Sequence, residues 1–301
     1  MKLITKEKID NAIGFIYYLI QLIHYENNCP LVPNQDMVKL LNNIQPEQKM
    51  NEEYVRNYFS TLLQQTQNSI ISLNFFNILR QEVICSNCPT KYYYFYKYMI
   101  KFYISDYIKF RNEYNPQKTT FGLTLDECFE CYTGGFSYKC EACGNTKANV
   151  YSSFYAFPKV LLIGLIRKKH HYYCDVDFTN NLNVNNYCIQ GINNNISTNY
   201  TLKACISLNS KGQCLSYINT NNLWVKYYGN QVSPLTDINT ELKTFEPQIL
   251  IYQINESNLN IINNPVSQMS QMQMNENFNM IGMNMNMNIM RLSQLINFNF
   301  Q

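Results

Sequence analysis

The chain reads LTLDECFECY at residues 123–132, YKCEACG at residues 138–144 and FPKVLLIGLIR at residues 157–167. The first segment predicts a helix over Thr124–Tyr132. The second carries two cysteines in a C-x-x-C spacing, which is typical of a metal-binding knuckle. The third contains the apolar, strand-like run Lys159–Ile166. A helix, a knuckle and a strand in this order indicate a domain that mixes helices with β-structure.

A second knuckle, Cys85-Ser-Asn-Cys88, lies about fifty residues before Cys140-Glu-Ala-Cys143. Four thiolates suit one tetrahedral zinc ion, and four protein ligands leave no position for water, so the ion would be structural and not catalytic. The separation exceeds the roughly 15–20 residues of a compact ribbon, so a larger fold must bring the knuckles together. Two alternatives stay open: buried cysteines without a metal, and a nucleic-acid-binding ribbon, which the scarcity of surrounding Lys and Arg disfavours.

Outward from these segments the sequence changes character. Apolar residues recur at helical spacing before residue 80, and the predicted helices there are Lys8–Tyr25, Asp36–Ile44, Glu52–Gln65 and Ile70–Leu79. After Glu82 the chain favours strands, interrupted by the one helix at Thr124–Tyr132; the predicted strands are Lys91–Tyr98, Tyr151–Phe157, Lys159–Ile166, Tyr200–Ser207, Cys214–Asn219, Leu223–Tyr228 and Gln248–Ile254. Helices first and an antiparallel sheet later indicate an α+β fold.

Composition removes several classes of function. The chain has 301 residues with 24 Lys and Arg against 21 Asp and Glu, and no long basic run, so no nucleic-acid partner is expected. No uninterrupted apolar stretch approaches the about 18 residues of a membrane span. Eleven cysteines, an odd number, without an export signal favour metal binding or burial over disulfides. We therefore expect a soluble, intracellular protein, cytoplasmic or nuclear, with no membrane partner.

The last part of the chain differs from the rest. After Asn255 the sequence consists mostly of Asn, Met, Gln and Ser, which cannot define a packed core. We predict one domain over residues 1–255 and a disordered, low-complexity tail over residues 256–301. The tail is either codon-bias drift without selection or an adhesive, partner-docking segment, and residues 290–298 could form a short helix against a partner.

The segments quoted above closely resemble the middle of ubiquitin-specific proteases, also called ubiquitin carboxyl-terminal hydrolases or peptidase family C19. In that family a Ser-Leu-Glu-Asp-Cys-like helix leads into a C-x-x-C knuckle and then a Leu-Pro-x-Val-Leu strand. The resemblance spans about Ile9–Ile254. It implies a papain-like fold with a helical thumb, zinc-ribbon fingers over about residues 82–150 and an antiparallel β palm. It also implies a structural zinc ion held by Cys85, Cys88, Cys140 and Cys143.

The same resemblance locates three catalytic positions, and this chain departs from the family at each. In the cysteine box, Gly14 stands where the nucleophilic Cys is expected, and Ala12 stands where the family has an oxyanion-stabilising Asn. Gly212-Gln213 replaces the Gly-His that supplies the general base. Trp224-Val225-Lys226-Tyr227 matches the family's Trp-x-Lys-Phe, after which Tyr228 replaces the orienting Asp. The sequence therefore predicts a degenerate site with no catalytic residues.

These departures predict a catalytically inactive protein that serves as a scaffold or protein-binding subunit in a larger assembly, with or without retained ubiquitin binding. The alternative is a residually active deubiquitinating protease that uses non-standard residues. It would need another nucleophile and base, and Cys29 with His24 is one conceivable pair. His170 and His171 are the remaining histidines, and their position after Arg167-Lys168-Lys169 favours a solvated turn.

Overall fold

The computed structural model describes residues 12–30, 47–114, 122–168, 175–189, 198–220 and 223–255. The predicted helices at Asp36–Ile44 and 290–298 lie outside these residues, and so does the predicted tail. Two short 3-10 turns occupy Gln48–Met50 and Asn185–Tyr187. The α-helices are α1 (Ala12–Asn27), α2 (Glu52–Thr66), α3 (Ile70–Phe75), α4 (Ile104–Tyr114), α5 (Leu125–Thr133) and α6 (Ile238–Lys243).

The strands form two main sheets and one small pair. The four-stranded sheet has the order β2-β1-β6-β5, and the eight-stranded sheet has the order β13-β12-β11-β10-β14-β7-β3, with β9 beside β10. Strands β4 and β8 pair with each other. Their bounds are β1 (Asn77–Cys85), β2 (Cys88–Lys97), β3 (Ile100–Tyr103), β4 (Leu123–Thr124), β5 (Phe136–Tyr138), β6 (Ala148–Ala156), β7 (Val160–Ile166), β8 (Val176–Asp177), β9 (Asn181–Asn183), β10 (Asn199–Leu208), β11 (Cys214–Thr220), β12 (Leu223–Tyr228), β13 (Gln231–Leu235) and β14 (Glu246–Ile254).

The four-stranded sheet, here called the finger sheet, is built around the long β1–β2 hairpin. Asn77 pairs with Lys97 at its base and Cys85 pairs with Cys88 at its tip. At the base Phe76 stacks on Tyr96, with ring centroids 4.1 Å apart and planes within 7°. Stacked aromatic pairs add to the stabilisation that burial gives, so this contact helps to anchor the base of the hairpin.

The eight-stranded sheet, here called the palm sheet, is buried on both faces at its central strands β7 and β14. Along β14, Ile249 and Ile251 pack into the apolar layer that contains the buried face of α1. The alternate residues Leu250 and Tyr252 pack into the opposite layer, which contains α5 and α6. Successive side chains of a strand point to opposite faces, so a continuous apolar run is what a sheet between two helical layers requires.

Helix α5 begins where the sequence predicts because its first turn is capped twice. The Thr124 hydroxyl accepts a hydrogen bond from the Glu127 amide at 3.1 Å, and the Glu127 carboxylate accepts from the Thr124 amide at 2.7 Å. This capping box satisfies two amides that a helix start otherwise leaves unpaired. Phe129, fully buried, then packs edge-to-face on Phe102 of β3, at 5.0 Å between ring centroids.

Arg167, which ends the FPKVLLIGLIR segment, is a buried charge that is fully paired. Its side chain is 2% exposed and lies against Asp175, whose side chain is 3% exposed. The guanidinium also donates hydrogen bonds to the carbonyl oxygens of Leu165 at 3.0 Å and Pro247 at 2.7 Å. A buried ion needs such partners to offset its loss of hydration, and the contacts tie the end of β7 to the start of β14.

Most predicted elements are confirmed, and three predictions are wrong in part. The helix predicted at Ile70–Leu79 ends at Phe75, because β1 begins at Asn77 and Leu79 belongs to the finger sheet. Thr124–Tyr132 was predicted as the one helix after Glu82, but α4 follows β3 without a break and α6 lies between β13 and β14. The palm is antiparallel except at its edge, where β3 runs parallel to β7. Helices packed with mainly antiparallel sheets confirm the α+β class.

Among the described residues, no helix has the length and apolar character that crossing a membrane requires.

Candidate functional site

The four predicted zinc ligands meet at the tip of the finger sheet. Cys85 and Cys88 flank the β1–β2 turn, and Cys140 and Cys143 lie between β5 and β6. The Sγ atoms of Cys85 and Cys143 are 3.6 Å apart, those of Cys88 and Cys140 are 3.9 Å apart, and all four lie within 4.8 Å of one another. Sulfur atoms around a tetrahedral zinc ion are about 3.8 Å apart when each Zn–S bond is about 2.3 Å. The cluster therefore matches a four-cysteine zinc site.

Groups around the cluster shift the pKa values of two of its thiols in opposite directions. Amide groups of Cys143 and Ala142 point at Cys140 Sγ and lower the pKa of that thiol to about 7. The pKa of Cys88 is raised to about 12, chiefly by its hydrogen bond to Cys143. The amide of Asn145 donates to Cys85 Sγ at 3.7 Å and to Ser86 Oγ at 2.9 Å. A metal displaces the thiol protons. The four cysteines would therefore bind a zinc ion as thiolates, and the ion would join the hairpin tip to the segment after β5.

With four protein ligands such a zinc ion has no open coordination position. It supplies a cross-link and no chemistry at a substrate. The residues that the resemblance assigns to the general base and its orienting group, Gln213 and Tyr228, lie instead at the palm.

Gln213 and Tyr228, fifteen residues apart in sequence, are brought into direct contact. The Tyr228 hydroxyl donates a hydrogen bond to Gln213 Oε1 at 2.5 Å. The side-chain amide of Asn209 donates a hydrogen bond to the same oxygen at 3.0 Å. The side-chain oxygen of Asn209 accepts a hydrogen bond from the backbone amide of Gln213 at 2.9 Å. The tight turn that allows this passes through Gly212, whose φ of +74° suits glycine. Gln213 is exposed and Tyr228 is half-buried, so the pair lies at the surface.

Ala12 and Gly14 lie in the first turn of α1, which rests on the palm sheet. Ala12 is 4% exposed, and neighbouring Ile13 packs against Gly164 of β7. A Cβ added to Gly164 would lie 3.2 Å from Ile13 Cγ2, so the helix approaches the sheet closely there. The same apolar layer extends to Tyr227, beside Tyr228, and to Cys214, beside Gln213. The assignment of Ala12 and Gly14 to the cysteine box stays a prediction.

His24 belongs to a buried network that sequence reasoning missed. Its Nδ1 accepts from the Ser69 hydroxyl at 2.6 Å, and its Nε2 donates to Gln67 Oε1 at 2.8 Å. Ser69 is also the cap of α3, accepting from the amides of Ile71 and Ser72. Both ring nitrogens are therefore occupied in joining α1 to the segment between α2 and α3. A buried polar residue on the apolar face of α1 was the signal available in the sequence.

The remaining candidates for an alternative nucleophile and base have ordinary surroundings. Cys29 is exposed, and its backbone amide donates to the carbonyl oxygen of Asn68 at 3.0 Å. Burial raises the pKa of Cys214 to about 11, which favours an unreactive thiol. His170 and His171 lie outside the described residues.

Comparison with known proteins agrees with these observations. The family model "Ubiquitin carboxyl-terminal hydrolase" matches residues 15–252. This segment contains the four knuckle cysteines, Gln213 and Tyr228, and begins one residue after Gly14. No curated protein sequence matches the chain.

Solved structures of SAGA DUB modules are similar to this chain at low sequence identity, and the two with TM-scores above 0.5 share its fold. One, of the yeast SAGA DUB module with an Sgf73 mutant, has a TM-score of 0.53 and 19% identity, covering 83% of this chain and 51% of the other. A Ubp8/Sgf11/Sus1/Sgf73 DUB module with a variant Ubp8 and a shortened Sgf11 has a TM-score of 0.53 and 19% identity, with 83% and 52% covered. A DUB module bound to ubiquitin aldehyde has a TM-score of 0.48 and 18% identity, with 67% and 47% covered. The chain spans about half the length of these relatives.

The family match over most of the chain, the finger and palm sheets and the four-cysteine cluster together confirm the predicted ubiquitin-specific-protease fold with a structural zinc site. This chain belongs to the ubiquitin carboxyl-terminal hydrolase family, the ubiquitin-specific proteases.

Proposed function

We propose that this chain is a catalytically inactive member of its family that works as a scaffold or protein-binding subunit inside the cell. The observation that carries the proposal is the Gln213–Tyr228 contact at 2.5 Å. Under the resemblance these residues occupy the positions of the general base and of its orienting group, and their side chains still meet as such partners would. Under this assignment the two positions still lie in contact, but Gln213 and Tyr228 lack the acid–base chemistry of a histidine and an aspartate.

None of the side chains at these positions can perform the family's reaction. A glutamine amide does not take up a proton near neutral pH, so Gln213 cannot activate a thiol or protonate a leaving amine. Gly14 has no atom that could attack a carbonyl carbon. Loss of the nucleophile alone costs on the order of 10⁶-fold in turnover, and losses within a triad are far from additive. Hydrolysis by these positions is therefore not expected.

The surroundings of His24 also favour the inactive protein over the alternative protease. His24 is engaged on both sides by Ser69 and Gln67, so its ring is a structural element and not a free base. A general base must reach the proton that it abstracts. His24 would have to leave its network to activate a thiol.

The partners remain proposals. The related solved structures contain a DUB module with several subunits, and one of them is bound to ubiquitin aldehyde. By analogy this chain serves in a larger protein assembly, and its fold either retains a surface for ubiquitin or acts only as an architectural subunit. The predicted boundary at residue 255 and the low-complexity tail stay proposals as well, and the tail is a candidate for docking to that assembly.

The experiment that tests the proposal is reaction with ubiquitin that carries a carboxyl-terminal electrophile. The purified chain is incubated with this probe beside an active family member, and in parallel it is titrated with unmodified ubiquitin. We expect no covalent product. A product whose cysteine is identified by peptide mapping, and which disappears in the matching variant such as Cys29→Ser, would overturn the inactive assignment. Absence of product with measurable binding supports a ubiquitin reader, and absence of both supports the architectural role.

A further inference from the structure

Asn145 lies in the segment that joins the second knuckle, Cys140–Cys143, to β6. Within residues 141–147 it alone is half-buried, and the others are exposed. The backbone turns back on itself here through Gly144, whose φ of +73° suits glycine. The Cys140 amide donates to the Asn145 carbonyl oxygen, and the Gly144 amide donates to the Cys140 carbonyl oxygen, both at 2.8 Å. The backbone of the knuckle therefore places Asn145 beside the cysteine cluster.

The side chain of Asn145 connects the two knuckles. Its Nδ2 donates to Cys85 Sγ at 3.7 Å and to Ser86 Oγ at 2.9 Å. Its Oδ1 accepts from the backbone amide of Lys147 at 3.0 Å. Because a backbone amide can only donate, the oxygen of Asn145 must face Lys147, and the NH₂ group must then face Cys85 and Ser86. The side chain is held in one orientation by contacts with both knuckles.

A hydrogen-bond donor beside a thiolate stabilises its charge and fixes the direction of the ligand. Backbone amides of Ala142 and Cys143 point at Cys140 Sγ in the second knuckle. The Asn145 side chain gives the equivalent contact to Cys85 Sγ in the first knuckle. Groups that hold a ligand in this way without touching the metal typically change metal affinity about 10- to 100-fold.

We infer that Asn145 is a positioning residue of the zinc site, which fixes Cys85 and joins the two knuckles without binding the metal itself. Its contact with Ser86 holds the hairpin tip, and its bond from the Lys147 amide keeps the donor aimed at the sulfur. These contacts reduce the freedom that the ligands would lose on binding zinc. Zinc should therefore bind more tightly and leave more slowly. The inference rests on the zinc site and is independent of the inactivity of the palm positions.

The first test measures the dissociation constant for zinc by competition with a chromogenic chelator. Asn145→Asp has nearly the same shape and keeps an oxygen for the Lys147 amide, but it replaces the N–H donor with an acceptor. Its dissociation constant should rise about 10- to 100-fold. The matched control is Asn87→Asp, which adds the same charge in the exposed β1–β2 turn and leaves the Asn145 donor in place. The control should stay within about threefold of the unmodified protein. Asn145→Ala, which removes the donor without adding charge, should also weaken binding.

A second measurement uses cobalt in place of zinc and gives a signal that a purely structural role would not change. Loss of the N–H donor to Cys85 should shift the sulfur-to-cobalt charge-transfer absorption to longer wavelength, because the sulfur then holds its electrons less tightly. We expect this shift in Asn145→Asp and Asn145→Ala and not in Asn87→Asp.

Several results would overturn the inference. Equal zinc affinity in Asn145→Asp and Asn87→Asp would do so, and so would an unshifted absorption in both Asn145 variants. Loss of the native circular dichroism spectrum in a zinc-saturated Asn145 variant would also overturn it, because the residue would then support the whole fold and not the metal site. Absence of zinc binding by the unmodified protein would overturn it as well, and would leave the proposed inactivity of the palm positions untouched.

Discussion

Replacing His24 with alanine should destabilise the protein by about 2–4 kcal/mol, because it removes two buried hydrogen bonds and the packing of the ring. The side chain is 7% exposed and lies 5.5 Å from Phe76 and 5.6 Å from Tyr98, measured between ring centroids. The loss is limited because the Ser69 hydroxyl keeps its two backbone donors. Urea unfolding at pH 7.5, followed by circular dichroism, measures the free energy.

The same residue should make stability depend on pH with a defined sign. Burial lowers the pKa of His24 below its usual value of 6.5. Below about pH 6.5 the unfolded chain therefore binds a proton that the folded protein resists, so the free energy of unfolding falls as pH falls, and the loss is complete once pH is below the folded pKa. His24→Gln keeps a neutral polar side chain and should remove this part of the pH dependence.

The matched control is Tyr25→Ala, which changes the neighbouring position of α1. Tyr25 is 79% exposed, so the variant should lie within about 0.5 kcal/mol of the unmodified protein and keep its pH dependence. The reasoning is refuted if the unmodified protein and His24→Gln lose equal stability between pH 7.5 and 5.5, or if His24→Ala costs no more than Tyr25→Ala.

Two further predictions concern the zinc site and the seating of α1. Cys143→Ser should lower the zinc content, measured by atomic absorption, well below one ion per chain, and it should speed hydrogen exchange at the β1–β2 tip. Cys29→Ser is the control and should keep its zinc. Unchanged zinc in Cys143→Ser would contradict the assignment. Gly164→Ala should cost about 1–3 kcal/mol in urea unfolding, because the added Cβ would lie 3.0 Å from Met99 Sδ and 3.2 Å from Ile13 Cγ2. The cost should shrink in an Ile13→Ala background; an equal cost there would rule out the clash with Ile13.

The fold was predictable from the sequence where periodicity and local chemistry agreed. Glu52–Thr66 has apolar residues at helical spacing and Asn51 as its cap, and it forms α2 almost as predicted. The run from Ile70 into β1 is mostly apolar and contains no Gly or Pro, so its pattern does not distinguish the end of α3 from the start of a strand. Helix α4 begins at Ile104 directly after β3, with no Gly or Pro to mark the change.

The sites were predictable to the extent that residue spacing encodes them. The C-x-x-C knuckles located the four cysteines that cluster in the structure. The assignment of Gln213 and Tyr228 to catalytic positions rests on the resemblance and stays a prediction. The contact between Gln213 and Tyr228 depends on how β11 and β12 are placed, and the His24 network depends on how α1 packs against the segment between α2 and α3. Such non-local arrangements are set by tertiary packing, which the residues of a single segment do not report.

The hydrogen bond between Tyr228 and Gln213 bears on whether a lineage carrying these residues could recover proteolysis. Under the proposed assignment, activity would need Cys, His and Asp to return at three separate positions. Tyr228→Asp alone would set a carboxylate against the Gln213 oxygen that now accepts the tyrosine proton, so that step breaks a good contact and yields no catalysis. Under this assignment, such a step loses a hydrogen bond without gaining the reaction, which makes a stepwise return to proteolysis unfavourable.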